Sequence, residues 1–229
     1  MNIAIIPARG GSKRIPKKNI KDFAGKPLIA YSIDAAVNSG CFDKVIVSTD
    51  DSEIAEVARS YGAETPFIRP DNIADDYATT AVVIAHAIDW CQQQNYSIDF
   101  VCCVYATAPF IQIEHIRDSL ALIKQHGSAS YCFPVCEFSF PIQRAISIDE
   151  HSRVSMFQPE HFNTRSQDLT QGFHDVGQFY WGKPHAFVQQ IPMFSEAAIA
   201  YPISRKWVID LDTQEDWEYA LLLQKALKG

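Results

Sequence analysis

The sequence contains no hydrophobic run close to the ~20 consecutive apolar residues that a membrane-spanning helix needs. Its apolar opening, residues 1–7, is too short for the core of a signal peptide and is not followed by a small-residue cleavage site. The six cysteines include no CxxC pair, so the ligand spacing of a zinc site is missing and reduced thiols are expected. A cytoplasmic location without membrane binding is therefore predicted.

Positive charge is scarce outside one short segment. The 229 residues carry a formal net charge of −7 at pH 7, yet residues 9–26 contain seven lysines and arginines and a single acidic residue. An acidic chain with one basic segment is a poor candidate for binding nucleic acid or an anionic membrane surface. The imbalance favours a site for one small, highly charged anion.

Strand and helix patterns alternate along the chain. Short continuous apolar runs at 3–6, 44–48 and 100–104 are typical of strands buried on both faces. Further strands are predicted at 129–135, 178–181, 198–203 and 207–209, and helices at 27–39, 51–62, 79–94, 113–126 and 213–227. The alternation predicts an α/β fold with a mainly parallel sheet and flanking helices, in one domain over residues 1–229. Residues 137–172 break the pattern and are interpreted as an insertion, either a hairpin arm or an interface element.

The first predicted strand leads into a loop rich in glycine and cations, residues 7–19, which we call the basic loop. Loops beyond the carboxyl ends of parallel strands hold ligands. Gly10 and Gly11 let backbone N–H groups approach phosphate oxygens, and Ser12 adds a hydroxyl. The GxGxxG and GxxxxGK[ST] patterns are both absent, so an oxidoreductase on a Rossmann sheet lacks its fingerprint. A solvated basic loop without a ligand is the alternative.

Two aspartates late in the chain form an acidic counterpart to this loop. Asp210 and Asp212 follow the predicted strand at 207–209. Residues at i and i+2 of a strand share a face, so both carboxylates could bind one Mg²⁺ ion. The alternative is that Asp212 caps the last helix.

Six segments in order resemble the sugar-nucleotide cytidylyltransferases, the family of the CMP-sialic acid synthetases. The matching segments are 5–19, 25–29, 47–50, 68–70, 107–109 and 209–213. The resemblance implies a Rossmann-like nucleotide-diphospho-sugar transferase fold and a magnesium-dependent reaction. In that reaction CTP and a keto-sugar acid give a CMP-sugar and pyrophosphate. The resemblance also implies a homodimer in which residues 137–172 reach toward the partner subunit.

The same resemblance implies roles for individual residues around the nucleotide. Arg9 and Lys18 would stabilise charge in the transition state, and Asp210, which with Asp212 would hold the metal, would orient the α-phosphate. The implied nucleotide contacts are Arg9, Gly10, Gly11, Ser12, Lys13, Lys18, Asn19, Arg69, Thr79 and Thr80. Arg69 could instead be a surface loop arginine, and Thr79 could instead cap the third helix.

The expected sugar pocket departs from the usual pattern of the family. Tyr105-Ala106 stands where most members have glutamine-proline, and Gln143 stands where they have a lysine. The motifs at 105–110 and 175–181 resemble the subgroup that activates pseudaminic acid, a 5,7-diacylamido nonulosonate of bacterial surface glycans. The implied sugar contacts are Tyr105, Thr107, Gln143, Arg165, His174, Gln178 and Tyr180.

Several alternatives stay open at this point. Arg165 could be an exposed residue of the insertion, and His174 could be structural. The same reaction on N-acetylneuraminic, legionaminic or deoxy-octulosonic acid is the nearest functional alternative. A nucleotide sensor without catalytic activity is an alternative of another class.

Overall fold

A computed structural model describes residues 1–75 and 78–228. Within them, seven strands form the main sheet, in the order β11-β6-β10-β5-β1-β4 with β9 paired to β6, and two strand pairs lie outside it. The strands are Asn2–Pro7 (β1), Asp22–Phe23 (β2), Lys26–Pro27 (β3), Lys44–Ser48 (β4), Phe100–Val104 (β5), Tyr131–Glu137 (β6), Ile146–Ile148 (β7), Val154–Met156 (β8), Phe173–Asp175 (β9), Phe179–Gly182 (β10) and Ala198–Pro202 (β11).

The main sheet is mostly parallel, as predicted. β1 pairs in parallel with β4 and β5, and β11 pairs in parallel with β6. β10 lies antiparallel between β5 and β6, and β9 is antiparallel to β6. Five strands therefore point in one direction, and their carboxyl ends meet at one edge of the sheet.

The five predicted helices are confirmed, with ends shifted by at most two residues, and a short helix at Pro184–Val188 was not predicted. The helices are Leu28–Ser39 (α1), Ser52–Ser60 (α2), Thr80–Gln93 (α3), Ile113–Gln125 (α4), Pro184–Val188 (α5) and Gln214–Lys228 (α6). Local signals explain the ends: Gly40 terminates α1 in the left-handed region at φ 65°, and the Asp51 carboxylate caps α2 by accepting from two backbone N–H groups. Among the described residues, no helix combines the length and apolar character needed to cross a membrane.

The continuous apolar strands are buried on both faces. Along β1, Ala4 and Ile6 belong to one core cluster, and Ile3 and Ile5 belong to a second cluster on the opposite face. In β5, Cys102 belongs to the first cluster and Cys103 to the second. Burial raises the pKa of both thiols. All six cysteines are free thiols.

The segment 138–172 leaves the sheet between β6 and β9 and is called the arm below. The Phe138 N–H donates to the Gly172 carbonyl oxygen at 3.1 Å, which closes its base. The arm contains the β7–β8 hairpin and three short 3₁₀ helices, so a hairpin is present as predicted. It also carries large apolar side chains that are more than half exposed: Phe140, Ile146, Ile148, Val154, Phe157 and Phe162.

One predicted strand is wrong. Residues Arg205–Trp207 form a 3₁₀ helix, and the following residues 208–212, which we call the acidic segment, lie outside any strand or helix. Leu211 is fully buried against Trp217 of α6, and the partly buried Ile209 packs on the same cluster. The apolar pattern therefore reflects a third core cluster and not strand pairing.

Candidate functional site

The basic loop lies at the sheet edge where the parallel strands end. It follows β1, and Asp50 and Asp51 follow the neighbouring β4. Tyr105 follows β5, and Gln178 precedes the reversed strand β10 at the same edge. Ligands in open α/β sheets bind beyond the carboxyl ends of the strands. The topology thus brings the sequence motifs to the edge where a ligand site is expected.

Three contacts hold the basic loop in place. The Gly10 N–H donates to Asp50 Oδ1 at 3.0 Å, and the Asn19 amide donates to the Arg9 carbonyl oxygen at 2.9 Å. A Cβ atom on residue 10 would lie 2.6 Å from Asp51 Oδ2. Glycine is therefore required at position 10 by the close approach of Asp51. The Gly10 N–H is also engaged within the protein, which the sequence did not reveal.

The other predicted phosphate contacts lie on the outer part of the loop. The Ser12 N–H donates to the Gly10 carbonyl oxygen at 3.0 Å, which makes a tight turn. Gly11 and Lys13 are exposed, and Ser12 is half-buried. These residues are positioned at the surface of the loop, where an anion from solvent can reach them.

Lys18 joins the basic loop to the acidic segment. Its Nζ atom donates to the Leu211 carbonyl oxygen at 2.5 Å and lies 3.6 Å from Asp212 Oδ1. Arg14 pairs with Oδ2 of the same carboxylate at 3.0 Å. Ile15 of the loop is buried in the cluster that contains Leu211. The two oppositely charged motifs are therefore in direct contact, although they lie at opposite ends of the sequence.

The cap of α6 is not made by Asp212. The Asp216 carboxylate accepts from the Thr213 N–H at 2.7 Å, and the Asp216 N–H donates to Thr213 Oγ1 at 3.2 Å. This reciprocal pair is a capping box, with Thr213 as the N-cap. Hydrogen bonds from Thr213 hold the pKa of Asp216 below its ordinary value. The Asp212 carboxylate is thereby left to face the cations of the basic loop.

Asp210 lines a cavity of about 660 Å³ beside this ion pair. Desolvation raises the pKa of Asp210, and the nearby charge of Asp212 raises it further, against the lowering effect of Lys18. Two adjacent carboxylates oppose each other's ionisation, and a divalent cation relieves that repulsion.

This pair of carboxylates fits Mg²⁺, which takes one or two protein carboxylates and fills its shell with water and substrate phosphates. Within residues 1–75 and 78–228, at this site or elsewhere, no group of three or more histidine, cysteine, aspartate or glutamate side chains is arranged to hold a metal, so the protein would supply only these two carboxylates. The structure thus offers the two residues that the sequence suggested, Asp210 and Asp212, and the donor chemistry suits the ion.

Arg69 is buried beside the basic loop. Only 4% of it is exposed, and its guanidinium donates to the Ser48 hydroxyl at 3.2 Å and to the Ser48 carbonyl oxygen. Burial lowers its pKa, Asp50 raises it and Arg9 lowers it, so these charged groups are neighbours. Arg9 itself donates to the Asp75 carbonyl oxygen at 3.2 Å. The alternative of Arg69 as a surface loop arginine is therefore wrong.

Thr79 is the N-cap of α3, and its hydroxyl accepts from the Val82 N–H at 3.4 Å. The capping interpretation of Thr79 is therefore confirmed. Thr79 and Thr80 also line a second cavity, of about 450 Å³, on the other side of Tyr105. A contact with the nucleotide stays a prediction for both threonines.

Three of the predicted sugar contacts line the first cavity: Tyr105, His174 and Tyr180. The Tyr180 hydroxyl donates to the Asp175 carboxylate. His174 Nδ1 lies 2.7 Å from the Asp175 carbonyl oxygen, and its ring packs edge-on against Phe138 at 4.8 Å. These contacts orient the His174 ring at the cavity wall. Such packing is expected if His174 has a structural role.

The remaining predicted sugar contacts lie elsewhere. Gln178 is buried behind the cavity wall, and Thr107 is half-buried after β5. Gln143 is buried in the arm, where its amide donates to the Thr170 carbonyl oxygen at 2.8 Å. Arg165 is an exposed arm residue paired with Asp168 at 2.8 Å. Within one chain, neither Gln143 nor Arg165 is therefore brought to the cavity.

The two cavities adjoin. Both are lined by Tyr105, Asp175 and Tyr180, and the second cavity is otherwise walled mainly by apolar side chains such as Met193 and Phe194. The cavity beside Asp210 is more polar. One elongated ligand can therefore place a charged end near the acidic segment and an apolar end in the second cavity.

Several residues of the cavity wall were missed by the sequence analysis, among them the charged residues Glu137, Asp175 and Arg205. Asp175 and Arg205 both line the first cavity. Asp175 lies within a motif used for the subgroup comparison, and Arg205 begins a basic pair ahead of the acidic segment. Neither has a spacing signal of its own, because each reaches the cavity through strand pairing or through the 3₁₀ helix.

Comparison with known proteins agrees with this geometry. A family model described as cytidylyltransferase matches residues 3–178. The chain is 47% identical over 224 residues to a pseudaminic acid cytidylyltransferase of Campylobacter jejuni, which covers 98% of this chain and 96% of that protein. It is 34% identical to a CMP-N,N'-diacetyllegionaminic acid synthase of Legionella pneumophila, over 94% of this chain and 92% of that protein.

Similarity of fold extends further than similarity of sequence. A CMP:2-keto-3-deoxy-manno-octonic acid synthetase solved in complex with CTP superposes with a TM-score of 0.73. The match covers 99% of both chains at 16% sequence identity. At that identity the match supports the fold alone.

Proposed function

The chain belongs to the cytidylyltransferase family, and we propose that it joins CTP to pseudaminic acid to give CMP-pseudaminic acid and pyrophosphate. The substrate follows from the relative at 47% identity, whose name gives that sugar and whose length is matched almost completely. The product would serve the synthesis of bacterial surface glycans.

One observation carries the proposal from the side of the structure: the basic loop and the acidic segment meet beside a cavity. Lys18 contacts both the Leu211 carbonyl oxygen and Asp212, while Asp210 lines the cavity of about 660 Å³. A nucleotidyl transfer needs a cationic cradle for a triphosphate, carboxylates for a metal and a space for the acceptor, all in contact. The basic loop, the two aspartates and the cavity support the proposal because they are the parts of the chain suited to these three roles.

The reaction is an attack by the anomeric hydroxyl of the sugar on the α-phosphorus of CTP. A new bond forms between that oxygen and the α-phosphorus, and the bond to the oxygen that bridges the α- and β-phosphorus atoms breaks. Pyrophosphate leaves with the bond electrons, and the hydroxyl proton passes to solvent or to a base. Such transfers depend mainly on alignment and on neutralisation of charge.

The basic loop would bind the triphosphate in this reaction. Arg9 and Lys18 would neutralise charge that develops on the phosphate oxygens, an effect worth ~2–4 kcal/mol for a well-placed donor. Gly11, Ser12 and Lys13 at the outer part of the loop would contact the β- and γ-phosphates. Asn19, Arg69, Thr79 and Thr80 are the proposed nucleoside contacts. Gly10 supports the loop through Asp50.

Magnesium is the proposed cofactor, and Asp210 and Asp212 are the residues that would hold it. When bound, the ion supplies positive charge to the phosphates and lowers the pKa of a coordinated hydroxyl. Arg14 and Lys18 contact Asp212 at 3.0 and 3.6 Å and would keep its carboxylate oriented.

The sugar would lie across both cavities. Its reacting end would face Asp210, with Arg205 in the same cavity available to its carboxylate. Asp175 lies at the junction and can accept from an amide N–H, while Met193 and Phe194 can contact acyl methyl groups. Because a diacylamido sugar has both features, this division fits pseudaminic acid.

A homodimer formed through the arm is part of the proposal. The exposed apolar side chains of the arm would be buried against the partner, and Arg165 would be lent to the partner's site. Gln143 would support the arm from within. The cytoplasmic location stays a prediction from the sequence.

The test is a panel of sugars offered to the purified chain with CTP and Mg²⁺, with pyrophosphate release as the measurement. We expect kcat/KM for pseudaminate to exceed that for N-acetylneuraminate, N,N'-diacetyllegionaminate and deoxy-octulosonate by roughly 100-fold or more, because buried polar groups reject unmatched substituents. Replacing CTP with ATP, GTP or UTP is the nucleotide control. Preference for N-acetylneuraminate would exclude the proposed sugar, and turnover of none of the four would exclude the proposed reaction.

A further inference from the structure

Gln178, one of the predicted sugar contacts, lies in the protein interior and not on a cavity wall. It is only 2% exposed, and it is absent from the walls of both cavities. Its side-chain amide donates to the Trp207 carbonyl oxygen at 2.5 Å, while its backbone carbonyl oxygen accepts from the Tyr105 N–H at 2.8 Å. Gln178 therefore links the start of β10 to a cavity residue on one side and to the 3₁₀ helix on the other.

The acidic segment begins immediately after that helix. Trp207 is the last residue of the 3₁₀ helix, and Asp210 follows three positions later in backbone that belongs to no strand or helix. At its other end, the acidic segment is held by Lys18, which contacts the Leu211 carbonyl oxygen. Asp210 is thus placed between two anchors, a glutamine amide and a lysine ammonium.

We propose that Gln178 is a positioning residue that holds the acidic segment in register with the cavity. Without the amide contact, the Trp207 carbonyl oxygen would lose this partner, and the backbone up to Asp210 would be held on that side only by the packing of Trp207 and Ile209. The inference rests on the proposed function, because it assigns Gln178 to the placement of Asp210 and Asp212.

The burial of Gln178 supports a local role over a general contribution to stability. Its Oε1 atom is buried and has no hydrogen-bond partner among the residues that the structure describes. A buried acceptor without a partner costs free energy, which offsets the gain from the donated hydrogen bond. Substitution by an apolar side chain of equal length should therefore change global stability little while releasing the segment that the amide holds.

The chain contains a matched comparison. Gln143 is also buried, and its amide donates to the Thr170 carbonyl oxygen. Its Oε1 atom likewise has no hydrogen-bond partner within residues 1–75 and 78–228. It lies in the arm and has no contact with the acidic segment. Gln143→Met therefore removes the same kind of bond from a different place.

The experiment compares native-state trypsin cleavage of the full chain, Gln178→Met and Gln143→Met without substrate or metal. Arg205 and Lys206 are exposed and immediately precede Trp207, whose carbonyl oxygen Gln178 holds. Exposed Arg153 in the arm is an internal reference. In Gln178→Met we expect cleavage after Arg205 and Lys206 to rise roughly threefold to tenfold, the factor that one net hydrogen bond supplies. Cleavage after Arg153 and the Tm should stay close to wild type, and Gln143→Met should leave cleavage after Lys206 unchanged.

Steady-state kinetics give the second readout. In Gln178→Met we expect kcat to fall and the Mg²⁺ concentration for half-maximal rate to rise, each several-fold, with KM for CTP within about twofold of wild type. Unchanged cleavage after Lys206, or an equal rise at Arg153 with a lowered Tm, would overturn the proposal. If Gln178→Met does not fold, Gln178→Leu takes its place. Inactivity of the wild-type chain with all sugars would reject the proposed function without touching the cleavage result.

Discussion

The Nζ atom of Lys18 lies 2.5 Å from the carbonyl oxygen of Leu211, a contact between residues 193 positions apart in the sequence. It connects the loop after the first strand with the segment before the last helix. Leu211 is fully buried, so its carbonyl oxygen is a fixed point for the lysine. The ammonium group is thereby held beside Asp212 at the entrance to the proposed metal site.

Substitution of Lys18 tests the proposed charge stabilisation. For Lys18→Met we expect kcat to fall by about 10²–10³-fold, because one preorganised donor at developing charge is lost. Lys17→Met is the matched control, since Lys17 pairs with Glu53 on the outer side of the loop. Steady-state pyrophosphate release measures both. If kcat of Lys17→Met falls as far as that of Lys18→Met, the rate depends on the total charge of the loop and not on the position of Lys18.

Two neighbouring aspartates should separate catalysis from folding. Asp212→Asn should lower turnover at least ~100-fold with little change in Tm, because a charged ligand of the proposed metal is lost. Asp216→Ala removes the capping box and should lower the free energy of unfolding by about 1 kcal/mol, which shifts Tm by about 2–4 °C. Thermal melts and initial rates distinguish them. Near-normal turnover of Asp212→Asn contradicts the metal assignment.

Adjacent glycines provide a test of the loop geometry. A Cβ atom at Gly10 would meet Asp51 Oδ2 at 2.6 Å, whereas one at Gly11 would have no neighbour within 4 Å in the described part of the chain. Gly10→Ala should therefore displace the loop, lower Tm and raise KM for CTP several-fold, since the Asp50 contact is strained. Gly11→Ala should leave Tm unchanged. Equal melting temperatures for the two variants would argue against the tight packing of Asp51.

The arm should govern the oligomeric state. Phe157→Asp places a charge on an apolar side chain that is 69% exposed in a single chain, and it should convert the expected dimer to a monomer. Leu222→Asp is the control, because Leu222 is 63% exposed on α6, outside the arm. Light scattering coupled to gel filtration gives the mass. A wild-type monomer at micromolar concentration, or dissociation by Leu222→Asp alone, contradicts an interface in the arm.

His115 should make stability depend on pH. Burial lowers its pKa below the ordinary value of 6.5, so the unfolded chain binds the proton more readily. The stability that neutral His115 contributes is complete above pH 6.5 and is lost as the pH falls from 6.5 toward the lower pKa of the folded state. Tm measured from pH 8 to 5 should fall more steeply for wild type than for His115→Gln. Parallel curves would exclude the shift.

Much of the fold is readable from local patterns. The strands at 44–48 and 100–104 begin and end with the apolar runs that predicted them, because burial on both faces demands uninterrupted apolar residues. Gly40 and Asp51 mark helix ends through backbone geometry and capping, which also act locally. The antiparallel direction of β10 cannot be predicted from the sequence, since a buried antiparallel strand has the same composition as a parallel one.

Some features of the candidate site can likewise be predicted from local sequence, and others cannot. The basic loop and the aspartate pair are visible as charge patterns, and motif order indicates the family. The apolar residues at 207–209 are misread as a strand because a buried cluster and a buried strand select the same side chains. Arg205 and Asp175 carry no signal, because their place at the cavity depends on neighbours distant in sequence.

The sequence by itself determined the elements, their order and the presence of two opposite charge clusters, because periodicity, capping and charge are properties of short segments. Only the tertiary structure decided which groups meet: Lys18 with Leu211, Arg14 with Asp212, and Gln178 with Trp207. Those contacts join segments separated by tens to hundreds of residues. The sheet topology brings them to one edge, and the physical reason is that burial of three core clusters selects the pairing of distant segments.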